Sequence, residues 1–247
     1  MSDIFDETEE NLRTDRVVAI VKVALPWVSA ILVLALVIAL SIWGWQSWRV
    51  TQSAHAAETY QAGLDASGKG DKATAKAKFE AATKAGNPAY KSLALMELGA
   101  MALDDNNKDE ALKDFDAAAK ATSSPLLSDT AALKAAYLAM DKSSLADEQK
   151  RLAPLMADKR PLAAMAKEAM ALAKLQSGDV NGARADLKVL GVTLGAPDGV
   201  KQRATEIVAA IDSGAAPTAL AILKQPEPAA AIPNAALQSA VANAAAH

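Results

Sequence analysis

A spacing of 36 residues, used repeatedly, restricts this chain to a stack of like units. Gly63, Ala75, Phe79 and Ala82 recur as Gly99, Ala111, Phe115 and Ala118, each pair 36 positions apart. Repetition on this scale marks an array in which each unit buries its apolar face only against its neighbours. The residue types say what packs: a ring at Phe79 or Phe115 fills the gap between paired helices, and Gly or Ala elsewhere lets backbones approach. Leu98 precedes Gly99 in the second unit. The turns fall at one phase, Gly70-Asp71 and Asn106-Asn107, residue types that accept left-handed backbone angles and cap the following helix.

The period continues. Leu187 stands 72 positions after Phe115, flanked by Ala183 and Leu190, with Gly178-Asp179 at the turn position. Between these units, residues 127–140 and 145–156 read as a shorter, degenerate hairpin, and Pro161 is placed to start the next helix. A last helix over residues 199–211, carrying Val200, Ile207, Val208 and Ile211, suits a terminal cap. Aromatics make up only 4% of a chain that is 51% hydrophobic, with Ala supplying much of the rest, a composition of close-packed helices with little strand. The expected fold is all-α, with a solenoid of about three to four hairpins over residues 50–212.

A second feature is independent of the repeat. Residues 23–48 contain no Asp, Glu, Lys or Arg, and the 21 residues 25–45 are the most apolar part. At ~1.5 Å per residue that stretch crosses a ~30 Å hydrocarbon core. Trp27 marks one edge and Trp43, Trp45 and Trp48 the other, where indoles favour the headgroup layer. A cleaved signal peptide is the competing reading, since Ala54-His55-Ala56 offers a cleavage-like site. Signal cores run only ~7–15 residues, however, and the preceding segment is acidic. Arg13, Arg16 and Lys22 precede the span and Arg49 alone follows it closely, so the positive-inside rule places the N-terminal residues 1–22 in the cytoplasm and residues 50–247, with the domain over 50–212, outside it. The acidic residues 1–22 read as a solvated tail or a short amphipathic helix, and residues 213–247, with Pro217, Pro226, Pro228 and Pro233, as a flexible Ala/Pro-rich tail.

Several chemistries are excluded by what the residues lack. The formal net charge is -3, from 26 basic and 29 acidic residues scattered along the chain, so no basic stripe suits a nucleic acid. There is no cysteine, and the two histidines, His55 and His247, are far apart in sequence, which leaves no triad and no metal cluster. Carboxylates alternate with lysines, as in Lys108-Asp109-Glu110, in the manner of a solvated face. Residues 63–69 imitate a phosphate-binding loop, but Gly70 occupies the position of the metal-binding hydroxyl and the segment follows a helix, not a strand. No enzyme, cofactor, metal or nucleotide is expected.

Small residue, Ala, ring and Ala at these intervals resemble the tetratricopeptide pattern. With the acidic stub and the span ending in residues 43–48, Trp-Gly-Trp-Gln-Ser-Trp, the chain over residues 1–212 resembles the YfgM family of ancillary SecYEG translocon subunits. That resemblance implies a single-pass bacterial inner-membrane protein with a periplasmic TPR-like domain, and the Sec translocon, periplasmic chaperones and exported polypeptides as partners. Membrane lipid would be met through residues 23–48. By repeat phase, Tyr60, Leu64, Leu93, Met96 and Ala100 are expected to line a protein-binding groove. The alternative is a structural scaffold subunit of another inner-membrane or envelope complex.

Overall fold

The computed structural model describes residues 3–214, with side chains placed at Trp27, 31–48 and 50–214; residues 215–247, which hold most of the expected flexible tail, lie outside them. Among the described residues every regular element is a helix. The chain divides into two units, Met1–Thr51 and Gln52–His247, and helix α1 (Asp3–Gly68) contributes to both. The backbone is thus helical from Asp3.

Among the described side chains of the first unit, the apolar ones are exposed. Ile31, Leu36, Ile42 and Trp45 each expose more than half of their surface. The helix is long and apolar enough to cross a membrane. Ser41 Oγ donates to the carbonyl of Val37 at 2.7 Å, so its hydroxyl is satisfied within the helix.

The second unit is a row of antiparallel hairpins. The end of α1 pairs with α2 (Lys72–Lys84), α3 (Pro88–Asp104) with α4 (Lys108–Ala121), α5 (Pro125–Ala139) with α6 (Leu145–Leu152), and α7 (Ala163–Gln176) with α8 (Val180–Gly191). Helix α9 (Asp198–Asp212) closes the row, burying Val200 and Ile207 with Leu187 and Leu190 of α8. The turns explain why the helices stop where they do. Gly70, Asn106 and Gly178 adopt φ of 77°, 57° and 89° at equivalent points. The residue after each, Asp71, Asn107 or Asp179, accepts a backbone N–H of the next helix at 2.9–3.2 Å.

Gly and ring meet as the spacing requires. A Cβ built on Gly63 would lie 2.7 Å from Phe79 Cε1, and one on Gly99 would lie 2.8 Å from Phe115 Cε1. Hydroxyls add to the packing: Ser92 Oγ of α3 donates to Ala118 O within its own hairpin at 2.9 Å, and Ser128 Oγ of α5, 36 residues on, donates to Ala119 O of the preceding hairpin at 2.8 Å.

The third hairpin departs from the others. Helix α6 has 8 residues against 13, 14 and 12 in α2, α4 and α8. Pro154 cannot donate the next helical hydrogen bond, and the chain tightens into a single 3-10 turn, Ala153–Leu155. Helix α7 starts at Ala163, not at Pro161 as the sequence led us to expect. The intervening segment is held as a turn because Arg160 pairs with Asp129 of α5 and Leu162 is buried with Leu152 and Leu155.

Candidate protein-binding surfaces

The repeat-core residues lie together inside the stack. Gly63, Ala75, Phe79 and Ala82 are buried at the first hairpin, Gly99, Ala111, Phe115 and Ala118 at the second, and Ala183, Leu187 and Leu190 at the fourth. Leu98 is half-buried against the Phe79 cluster. Their role is to hold the hairpins in register.

The five residues expected to line a groove behave differently. Leu93 and Met96 are each only 8% exposed and pack with Phe115 and Leu127, so they offer a partner almost no area; this corrects the expectation for both. Tyr60 is partly buried between the rings of Phe79 and Tyr90, at 5.7 and 5.9 Å, and its hydroxyl lies 3.3 Å from Glu97 Oε1. Burial, then the neighbouring Glu97 carboxylate, pushes the Tyr60 pKa up, so the phenol stays protonated and donates that bond. Leu64 packs partly buried on the Phe79 cluster, and Ala100 is half-buried. The physical reason is that Ala-rich first helices approach closely enough for the next hairpin to cover these positions.

The same phase carried onward shows the closure again. Thirty-six residues after Leu93 is Asp129, and 72 after Met96 is Glu168. Both carboxylates are buried, and each is met by an arginine from further along the chain. Asp129 pairs with Arg160, and Glu168 takes a two-pronged contact from Arg203 of α9, 2.8 Å for each prong. These positions are therefore braces between elements.

Exposed charges follow the repeat as well. Lys72 pairs with Asp105 at 3.4 Å and Lys108, 36 residues on, with Asp141 at 3.1 Å; Lys142 crosses back to Asp109 at 2.8 Å. The carboxyl of Asp109 is held below its ordinary range by the hydrogen bond from Lys142. Such exposed pairs add little stability but favour one register of hairpin on hairpin. Sequence alternation of Lys and Asp indicated only a solvated face; the 33-residue spacing of these partners, repeated twice, was the available signal for the ladder.

Within the second unit the most exposed large apolar side chains, Val189, Val192 and Leu194, lie at the end of the fourth hairpin. Helices α6, α7 and α8 enclose a cavity of about 410 Å³, whose lining includes Leu145, Met156, Met170, Val189 and Leu190. No reading of repeat positions pointed to it. Residues 63–68, the imitation of a phosphate loop, are the final turns of α1, so their N–H groups face along a helix rather than toward a phosphate. Among the described residues no group of acidic or histidine side chains is arranged to hold a metal ion.

A row of hairpins joined by ring-into-glycine packing, with paired carboxylates serving as braces, defines a helical-repeat scaffold. Residues 25–159 match the family model of the tetratricopeptide repeat-like domain, more than half of the chain, and the protein belongs to that family. No curated protein and no solved structure matches it. The family match ends at residue 159, whereas the packing of α7, α8 and α9 continues the stack to Asp212.

Proposed function

We propose that this protein is a membrane-tethered protein-binding module of the bacterial inner membrane, with residues 1–22 cytoplasmic, 23–48 spanning and 50–212 periplasmic. Its activity is binding, not catalysis. It serves as an accessory of the Sec translocon and connects exported chains to periplasmic chaperones. The observation that carries this reading is the joining, in one chain, of a Trp-edged apolar helix and a tetratricopeptide repeat-like stack, a scaffold class suited to protein partners. The charge asymmetry of Arg13, Arg16 and Lys22 against Arg49 supports the orientation, and tethering raises the local concentration of the domain for chains that emerge at the membrane.

The test has two parts. A reporter active only outside the cytoplasm, fused after Asp212, is expected to work, and activity of a cytoplasm-only reporter there would reverse the orientation. Mild-detergent purification of the full chain is expected to recover the export channel. Recovery of a different complex in fixed stoichiometry would favour the scaffold-subunit alternative.

A further inference from the structure

We infer that the cleft between α6 and α8, floored by α7, receives an apolar polypeptide segment that carries a carboxylate; the inference rests on the protein-binding reading above and places its contact surface. The cleft has a structural origin. Helix α6 ends early at the 3-10 turn before Met156, and a cleft opens between it and α8 over the part of α7 that carries Lys167 and Lys174. There Lys167, Met170 and Lys174 stand three and four residues apart and thus in one stripe.

Chemistry selects the occupant. Leu145 and Met156 on one side and Val189 on the other make the walls apolar, with Met170 and Leu190, 6% and 2% exposed, packed behind them, and Met156 adapts its shape to varied side chains. Val189 of the lining is 67% exposed, and Val192 and Leu194, which flank Thr193 of the lining, are 80% and 98% exposed. Exposed aliphatic groups next to a cavity mark a contact surface. A small molecule would fill the cavity and leave Val192 and Leu194 in water, whereas a polypeptide segment covers both. The lining holds two lysines against one acidic residue, Asp186. Lys174 is satisfied by Asp186 at 2.6 Å. Among the described residues Lys167 reaches only Asp158, at 3.5 Å, and that carboxylate is 96% exposed, so the pair is weak and exchangeable. An incoming carboxylate, more shielded from water than Asp158, takes Lys167 in its place.

The experiment uses the full chain in lipid nanodiscs and two dye-labelled peptides with the same Leu/Val centre, one flanked by Glu and one by Lys, with empty nanodiscs as the blank. Fluorescence anisotropy is expected to show at least tenfold tighter binding of the Glu-flanked peptide. Val189→Asp should weaken its binding at least tenfold with an unchanged circular dichroism spectrum, and Lys167→Glu should invert the preference between the two peptides. Binding that ignores both substitutions would overturn this surface while leaving the protein-binding reading intact. Failure of the wild-type chain to bind either peptide overturns the inference, and with failed copurification it removes the functional reading too. Tighter peptide binding by a chain ending at Gly214 would show that residues 215–247 fill the cleft, and dimerisation abolished by Val189→Asp would show that a second copy does; either result overturns the proposed occupant.

Discussion

One methyl group added at Gly99 tests the packing of the second hairpin more sharply than any deletion. Its carbon would sit 2.8 Å from Cε1, 3.0 Å from Cδ1 and 3.1 Å from Cζ of Phe115. Comfortable carbon–carbon contacts lie at ~3.5–4.0 Å, so the ring or the helix must shift. The ring has little room, being 2% exposed and clustered with Ala111, Ala118 and Leu127. Overpacking of this kind costs about 1–3 kcal/mol, whereas Ala inside a helix is favoured over Gly by ~1 kcal/mol. Gly99→Ala in the natural chain should therefore destabilise by at most about 2 kcal/mol. Phe115→Ala alone should cost about 3–5 kcal/mol through the cavity it leaves. With the ring gone, Gly99→Ala loses its steric penalty and should stabilise by ~1 kcal/mol. The readout is the coupling between the two sites, about 1–3 kcal/mol, from urea unfolding of the full chain in mild detergent followed by far-UV circular dichroism. All four tryptophans lie in residues 27–48, so their fluorescence would not report on the hairpins. Equal effects of Gly99→Ala in both backgrounds, within ~0.5 kcal/mol, would refute the ring-into-glycine account. Gly63 and Phe79, with a corresponding 2.7 Å approach, should show the same coupling.

Two further perturbations address the buried charges. Arg203→Met should destabilise by about 3–5 kcal/mol because it strands Glu168 in the interior, and adding Glu168→Leu should recover most of that loss; urea midpoints of the single and double variants decide this. Glu148 of α6 is buried and neither of its carboxylate oxygens has a hydrogen-bond partner. Burial pushes its pKa above the ordinary value of 4.5, with the positive charge of Arg151 acting in the opposite direction. A raised folded-state pKa means that its stabilising contribution is fully present below the unfolded-state value and is lost as pH rises through the folded-state value. Glu148→Gln should thus stabilise by roughly 1 kcal/mol at neutral pH, and its advantage should vanish as pH falls toward 4.5. Stability curves of both proteins across that range check the sign.

Much of the architecture is local enough to be legible in the chain. Phe79 and Phe115 announce hairpins because a ring needs a glycine opposite, and Gly63 and Gly99 stand at the matching phase. Gly70-Asp71, Asn106-Asn107 and Gly178-Asp179 announce the turns because a left-handed residue followed by a capping side chain ends one helix and begins another within a few bonds. The apolar helix is legible for a similar reason, since 26 consecutive residues without a formal charge need no distant partner to explain them. Pro161 misled by two residues because a tertiary contact, Arg160 with Asp129, competes with its preference for a first helical turn.

The binding surface was less legible. Repeat phase placed Leu93 and Met96 on an accessible face, yet accessibility depends on how closely the next hairpin approaches, and Ala-rich helices approach closely enough to bury both. Whether Asp129 and Glu168 face water or an arginine depends on residues 31 and 35 positions away, beyond any helical or turn periodicity. The cleft at α7 requires three things at once: the early end of α6, the stripe of Lys167, Met170 and Lys174, and the apolar end of α8. Periodicity and capping act over one or two turns of backbone, so the sequence by itself determined the helices, their turns and the membrane-length segment. Which faces close and which stay open is set by side-chain volumes summed across neighbouring hairpins, and only the tertiary structure decided that.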